Sequence, residues 1–179
     1  MYQRNNILSL VKTESGTELV SAADFKTYAK IGYSDEDSLI TGLITSARQQ
    51  IEAECNISLM DYTNVLIIAN LGDTIDLPYP GTVHTITSVE VMASDFTYST
   101  IDTDNYSLSG SRLMIYSTCD THRITYTVTQ KTDQGIKDAI KARVLAMYEH
   151  RGDDEEVKHH PKWIESNLML APFKDYSWL

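Results

Sequence analysis

The sequence predicts an α+β fold: an N-terminal helix pair, an antiparallel β meander or small barrel-like sheet, a closing C-terminal helix, and an extended C-terminal tail. Three observations carry this. Apolar residues recur at helical spacing in Leu39, Ile40, Leu43, Ile44, Ala47 and Ile51. Residues 61–130 then change to β-rich runs punctuated by turn residues. Helical spacing returns in Ile136, Ile140, Val144, Leu145, Met147 and Tyr148. A chain of 179 residues suffices for one ordinary domain with extensions, whose core needs no disulfide or metal staple.

Taken in order, residues 1–20 read as a flexible arm with room for one strand over Ile7, Leu8, Leu10 and Val11. Ser21 with Asp24 three residues on is a capping-box arrangement, Asp replacing the stronger Glu, and it opens a short helix with Phe25, Tyr28 and Ala29 on one side. Gly32 and Tyr33 break that helix. Ser34 is then expected to cap the next one, with Asp35, Glu36 and Asp37 complementing the dipole in its first turn. This long helix should end near Cys55, with Arg48, Gln49, Glu52 and Glu54 largely off the apolar stripe.

Strands are expected at 65–68, 74–77, 83–92, 106–108, 113–116 and 124–128. Their boundaries are set by Gly72–Asp73, Pro78 to Gly81, Asp102 to Asn105 and Ser109–Gly110. Ile124, Tyr126 and Val128 alternate with Arg123, Thr125 and Thr127, the pattern of a strand with one wet face. The last helix should be capped by Thr132 or Asp133 and end near Arg151–Gly152. Asp153 to Pro161 is polar and reads as a linker. The organisation expected is thus an arm (1–20), a core domain (21–152), and a linker with an anchoring tail (153–179).

Composition excludes several classes. Hydrophobic residues at 42% and charged residues at 22% are those of a soluble globular protein. No apolar run reaches the roughly 18 residues of a membrane span, and the opening residues lack the form of a secretory signal. Cys55 and Cys119 make no disulfide framework, so two free thiols in a reducing cytoplasm are expected. The 15 basic and 25 acidic residues leave a formal charge of −10, which repels phosphate. Tight binding to nucleic acid is disfavoured; surrounding DNA without gripping it is not.

Catalytic patterns are mostly absent: no Gly-rich phosphate loop, G-x-S-x-G, H-E-x-x-H or C-x-x-C occurs. His150, Asp153, Asp154, Glu155, Glu156, His159 and His160 are of ligand type for zinc or manganese, but they sit in an expected loop with nothing to orient the rings. His84 and His122 read as surface or partly packed residues, and Ser21 and Ser34 as caps rather than nucleophiles. Asp35 to Asp37 could pair carboxylates, but the helix dipole explains them. No catalytic residue, metal or cofactor is expected.

The last 17 residues hold both tryptophans. Trp163, Ile164, Leu168 and Leu170 could pack on the parent domain as an amphipathic turn or two. Pro172 stops any helix, yet Phe173, Tyr176, Trp178 and Leu179 continue the apolar run. An extended aromatic peptide suits insertion into a partner's groove, and that reading is favoured.

The order of elements and their local wording resemble the head–tail connector, or adaptor, proteins of long-tailed double-stranded DNA bacteriophages. The likeness begins in Val20, Ser21, Lys26 and Ile31, and continues through the helix start at Asp35, Glu36, Asp37, Leu39 and Ile40. It resumes at Leu77-Pro78-Tyr79-Pro80 with Val83, Ile86 and Val89 following, and closes on Tyr148 and Arg151 as a Y-x-x-R helix end. It covers about residues 20–152. The family's Ala-Gly-Tyr turn after the last strand is replaced by Thr127 to Gln130, and the tail is longer than the common core.

This resemblance implies a structural protein of the virion neck, assembled in the host bacterial cytoplasm. It would form a homo-oligomeric ring, commonly of twelve copies, beneath the portal protein. The ring would offer a surface to a stopper or tail-completion protein and continue the DNA channel without tight binding or membrane contact. The expected portal-binding residues are Trp163, Ile164, Leu168, Leu170, Phe173, Tyr176 and Trp178. The alternatives are a stopper or tail-terminator ring, and a metal-dependent hydrolase built on His150 to His160.

Overall fold

The structure, a computed structural model, describes residues 6–69, 74–116, 121–151 and 154–174. The chain divides into two compact units that interleave in sequence. A sheet unit comprises the chain up to Gly16 and Met60–Gln130; a helical unit comprises Thr17–Leu59 and the chain from Lys131 on.

The sheet unit holds eight strands among the described residues: β1 (Asn6–Glu14), β2 (Tyr62–Ala69), β3 (Thr74–Asp76), β4 (Val83–Met92), β5 (Tyr98–Thr100), β6 (Tyr106–Ser109), β7 (Arg112–Ile115) and β8 (Thr121–Thr129). They form a five-stranded sheet of order β1-β2-β8-β4-β5 and a three-stranded sheet of order β3-β7-β6, antiparallel throughout. The expected α+β fold with antiparallel strands is present, its strands shared between these two sheets. The alternation read in β8 is present: Ile124, Tyr126 and Val128 are buried and Thr127 is exposed.

The strand given room over Ile7 to Val11 is present as β1, at the edge of its sheet and bonded to β2. Two details depart from the sequence reading. β5 was not expected, because three residues with no apolar run become a strand only by pairing with Glu90–Met92. His122 is fully buried rather than at the surface. The Leu77 to Pro80 turn is held by Tyr126, whose hydroxyl donates to the Pro78 carbonyl at 3.3 Å. Gly81 follows, and a Cβ there would stand 2.0 Å from the Thr129 carbonyl oxygen and 2.5 Å from Val128 Cγ1. Only glycine permits that approach.

The helical unit contains α1 (Ala22–Ala29), α2 (Asp37–Cys55), α3 (Gln134–Glu149), α4 (Asp154–His159) and α5 (Pro161–Leu170). The capping box forms as expected: Ser21 Oγ accepts from the Asp24 N–H at 3.1 Å, and the Asp24 carboxylate accepts the Ser21 N–H at 3.1 Å. Ser34 does not cap α2 through its side chain; its carbonyl accepts the Asp37 N–H at 3.1 Å, and the helix starts at Asp37. Lys30 and Asn56 take left-handed conformations that end α1 and α2. The core joins Val20, Phe25, Ile40, Ile44, Ile51, Ile57, Leu59, Ile136, Ile140, Val144 and Leu170.

Two corrections concern charge in this unit. Arg48 and Glu52, expected off the apolar stripe, are both buried. They pair at 3.1 Å, Glu18 takes the Arg48 Nε at 3.1 Å, and Glu52 accepts the Leu59 N–H at 2.7 Å. The segment from Asp154 to His159 is not a structureless linker: it turns once as α4, because Val157 is apolar enough to be buried.

Candidate functional site

The C-terminal helix follows from its local sequence. His160 is the N-cap of α5, its Nδ1 accepting the Lys162 N–H at 3.2 Å, and Pro161 occupies the first turn, where its missing donor costs nothing. Lys162 pairs with Glu165 at 2.7 Å. Pro172 ends the helix as expected, and a short 3₁₀ turn, Ala171–Phe173, follows it.

One face of α5 belongs to its own unit. Leu170 lies in the core, and Ser166 is also buried. Trp163 is half-buried, its ring 4.5 Å from the guanidinium carbon of Arg143. That guanidinium is buried and fixes three helices at once: it bonds both Glu54 oxygens at 2.8 and 3.0 Å and the Asn167 Oδ1 at 2.6 Å. Phe173 packs half-buried beside Gly135 at the start of α3. The other face is uncovered. Ile164 is 50% exposed and Leu168 72%, and with Pro161, Ala171 and Pro172, also exposed, they form an apolar stripe at helical spacing. Of the residues expected to bind a partner, Leu170 is thus core, Trp163 and Phe173 are partly committed inside, and Ile164 and Leu168 face out. Tyr176 and Trp178 lie outside the described residues.

The histidine-rich segment is brought together, but into pairs. His150 Nδ1 stands 3.2 Å from Glu156, and His160 Nε2 stands 2.9 Å from Glu149. The two rings lie 4.9 Å apart. Both nitrogens of His160 are engaged, one as helix cap and one toward a carboxylate. Among the described residues no three His, Cys, Asp or Glu converge as a metal ion requires. Asp153 lies outside the described residues, and His159 Nδ1 is 2.8 Å from the Glu155 carbonyl.

Glu36 has a role the sequence did not suggest. Its carboxylate accepts hydrogen bonds from Tyr148, from Arg151 at 2.7 Å and from Tyr33 at 3.3 Å, tying the approach to α2 onto the end of α3. The Tyr148 hydroxyl, then Arg151, hold this carboxyl below its usual range, and the same bond pushes the Tyr148 phenol up. The Y-x-x-R wording was the available signal for this clasp. His84 accepts from the Gly81 N–H at 3.4 Å. Cys55 is a buried free thiol whose pKa is raised, first by burial and then by Glu54; Cys119 lies outside the described residues. No helix among the described residues is long and apolar enough to cross a membrane.

Comparisons agree in kind with this architecture. Residues 21–168 match the family described as phage gp6-like head–tail connector protein. Three solved structures share the fold at low identity. A chain from the virion of a native gene transfer agent particle aligns with TM-score 0.74 and 15% identity, covering 94% of this chain and 97% of that one. A chain from the neck of an empty gene transfer agent particle, computed with C6 symmetry, aligns with TM-score 0.73 and 14% identity over 94% and 97%. A third, from the neck of a native particle computed with C12 symmetry, aligns with TM-score 0.61 and 14% identity over 80% and 85%. No curated protein matches this chain in sequence.

Proposed function

This chain belongs to the phage gp6-like head–tail connector proteins, structural rather than enzymatic components of the virion neck, and from that premise we propose that it forms a ring joining the portal to the stopper or tail. The ring is composed of copies of this chain related by rotation about the DNA channel. C6 and C12 symmetry in the similar neck particles supports a closed ring, and twelve copies is the number we adopt. A net charge of −10 suits a conduit, since a surface that neutralised phosphates would hold the genome back.

Portal docking is assigned to the outer face of α5 and the residues after it. The observation that carries this is the uncovered apolar stripe on a helix already anchored from behind by Leu170 and Arg143. Such a helix presents Ile164 and Leu168 on a rigid support, so little freedom is lost when a groove receives them. Trp163, Phe173 and Leu170 then act from behind, holding the helix in place, while Tyr176 and Trp178 extend the contact.

The test is copurification with isolated portal protein. The double substitution Ile164→Glu/Leu168→Glu changes exposed side chains only, so the circular dichroism and unfolding midpoint should match the unaltered chain, while portal binding falls at least tenfold. Binding undiminished in that variant would remove α5 from the interface. Wild-type chain that binds a tail-completion protein but no portal would place the ring one level lower, as a stopper.

A further inference from the structure

A cavity of about 460 Å³ opens in the helical unit, lined by α1, the chain that enters it, and the first half of α3. Leu19, Val20 and the Tyr28 ring give it apolar surface, and Lys137 and Lys141 line it from one face of α3. The Lys141 ammonium lies 5.5 Å from the centre of the Tyr28 ring, and that of Lys162, from α5, lies 5.9 Å from it. The carboxylate in the wall, Asp24, is already engaged in the Ser21 capping box. Lys141 pairs with Asp138 at 2.6 Å, whereas Lys137 is bonded to no carboxylate among the described residues. Apolar walls with a few placed polar groups, at this volume, are the form of a binding site.

What fits the cavity follows from where α5 delivers the chain. Phe173 lies against Gly135 at the start of α3, close enough that a Cβ there would stand 3.4 Å from its Cε2. Gln134, the preceding residue, is part of the cavity wall. Asp175, Tyr176, Ser177, Trp178 and Leu179 follow, outside the described residues. Five extended residues reach about 17 Å. Along α3, Lys137 is about 3 Å and Lys141 about 9 Å beyond Gly135, so the cavity is within that reach. The chemistry matches as well. Tyr176, Trp178 and Leu179 are apolar surface that should not stay in water. Asp175 is the only charged side chain of the five, and on a chain of net charge −10 it is drawn to the few places where lysines gather.

We propose that residues 175–179 fold back onto their own chain in this cavity, with Asp175 paired to Lys137 and the Trp178 ring against Leu19, Val20 and Tyr28. The fold-back belongs to the free chain and does not depend on the portal reading. Where the portal is met, the same residues leave the cavity to extend that contact.

The free chain, without portal, tests it. A benzophenone amino acid replaces Trp178, an equal mixture of isotopically labelled and unlabelled protein is irradiated, and the products are mapped by mass spectrometry. Cross-links from residue 178 to residues 19–28 or 134–141 of the same chain are expected. Cross-links between labelled and unlabelled chains would put the segment on a second copy, and cross-links elsewhere on the same chain would put it outside the cavity. Either result overturns the proposal, as does the absence of any cross-link within the chain. Asp175→Lys, beyond the last helix in sequence, should lower the yield of the cavity product about threefold. Adding Lys137→Glu exchanges the two charges and should restore it. A yield that Asp175→Lys leaves unchanged, or that the exchange fails to restore, would overturn the pairing.

Discussion

The helical and sheet units differ in the kind of polar group they bury: among the described residues the buried arginines lie in the helical unit. In the helical unit, Arg48 and Arg143 are fully buried and each meets carboxylates: Glu18 and Glu52 for the first, Glu54 for the second. In the sheet unit, His122 and Asn64 are equally buried, yet neither side chain has a hydrogen-bond partner among the described residues. A buried charge that keeps its partners specifies one arrangement of helices and is costly to half-remove. A buried polar group without partners weakens its own surroundings, and replacing it should help. The helical unit, which carries α5, holds the buried arginine–carboxylate pairs, although Arg143 Nε, Asn56 Nδ2 and Ser166 Oγ are also buried there without a hydrogen-bond partner among the described residues.

That contrast breaks most visibly at Arg48. Arg48→Met strands Glu52 in the interior, and unfolding followed by circular dichroism should show a loss of about 3–5 kcal/mol. A loss under about 1 kcal/mol would mean that the buried pair is dispensable. In the sheet unit the largest effect should come from the backbone. Gly81→Ala drives a methyl against the Thr129 carbonyl, which cannot swing aside as a side chain would, and should cost about 3 kcal/mol in the same assay.

His122→Leu should have the opposite sign and stabilise by about 1–2 kcal/mol, since an unpartnered buried group disappears. Burial pushes the His122 imidazole below its ordinary pKa. The unfolded chain therefore takes up a proton as pH falls through about 6.5, while the folded chain resists it, and wild-type stability declines below that value. The His122→Leu variant should lack this component, so its advantage should widen between pH 7 and pH 5. An advantage that shrinks on acidification would refute the assignment. The smallest effect is at the surface: Arg112→Ala breaks an exposed bidentate pair with Asp76 and should cost less than about 1 kcal/mol.

What could be read from the sequence follows the same division. The stripe Leu39 to Ile51 and the box at Ser21–Asp24 announced their helices, because period and capping are local properties. Val83 to Met92 was legible as a strand to the residue, being bounded by turn residues and rich in β-branched side chains. β5 was not, since Tyr98 to Thr100 is a strand only through its partner. Arg48 and Glu52 looked like surface, because burial of an ion pair depends on Glu18, distant in sequence. The tail was legible in composition but not in facing: its apolar residues divide between the core, which takes Leu170, and the outside, which keeps Ile164 and Leu168.

The proposed ring-forming joint, with α5 facing the portal, is tested most directly by a cryo-EM map of the neck of assembled particles. Repeated copies of this fold are expected to encircle the channel beneath the portal, with Ile164 and Leu168 buried against portal residues. A map in which those two side chains face solvent, or in which the fold is absent from the portal vertex, would contradict it.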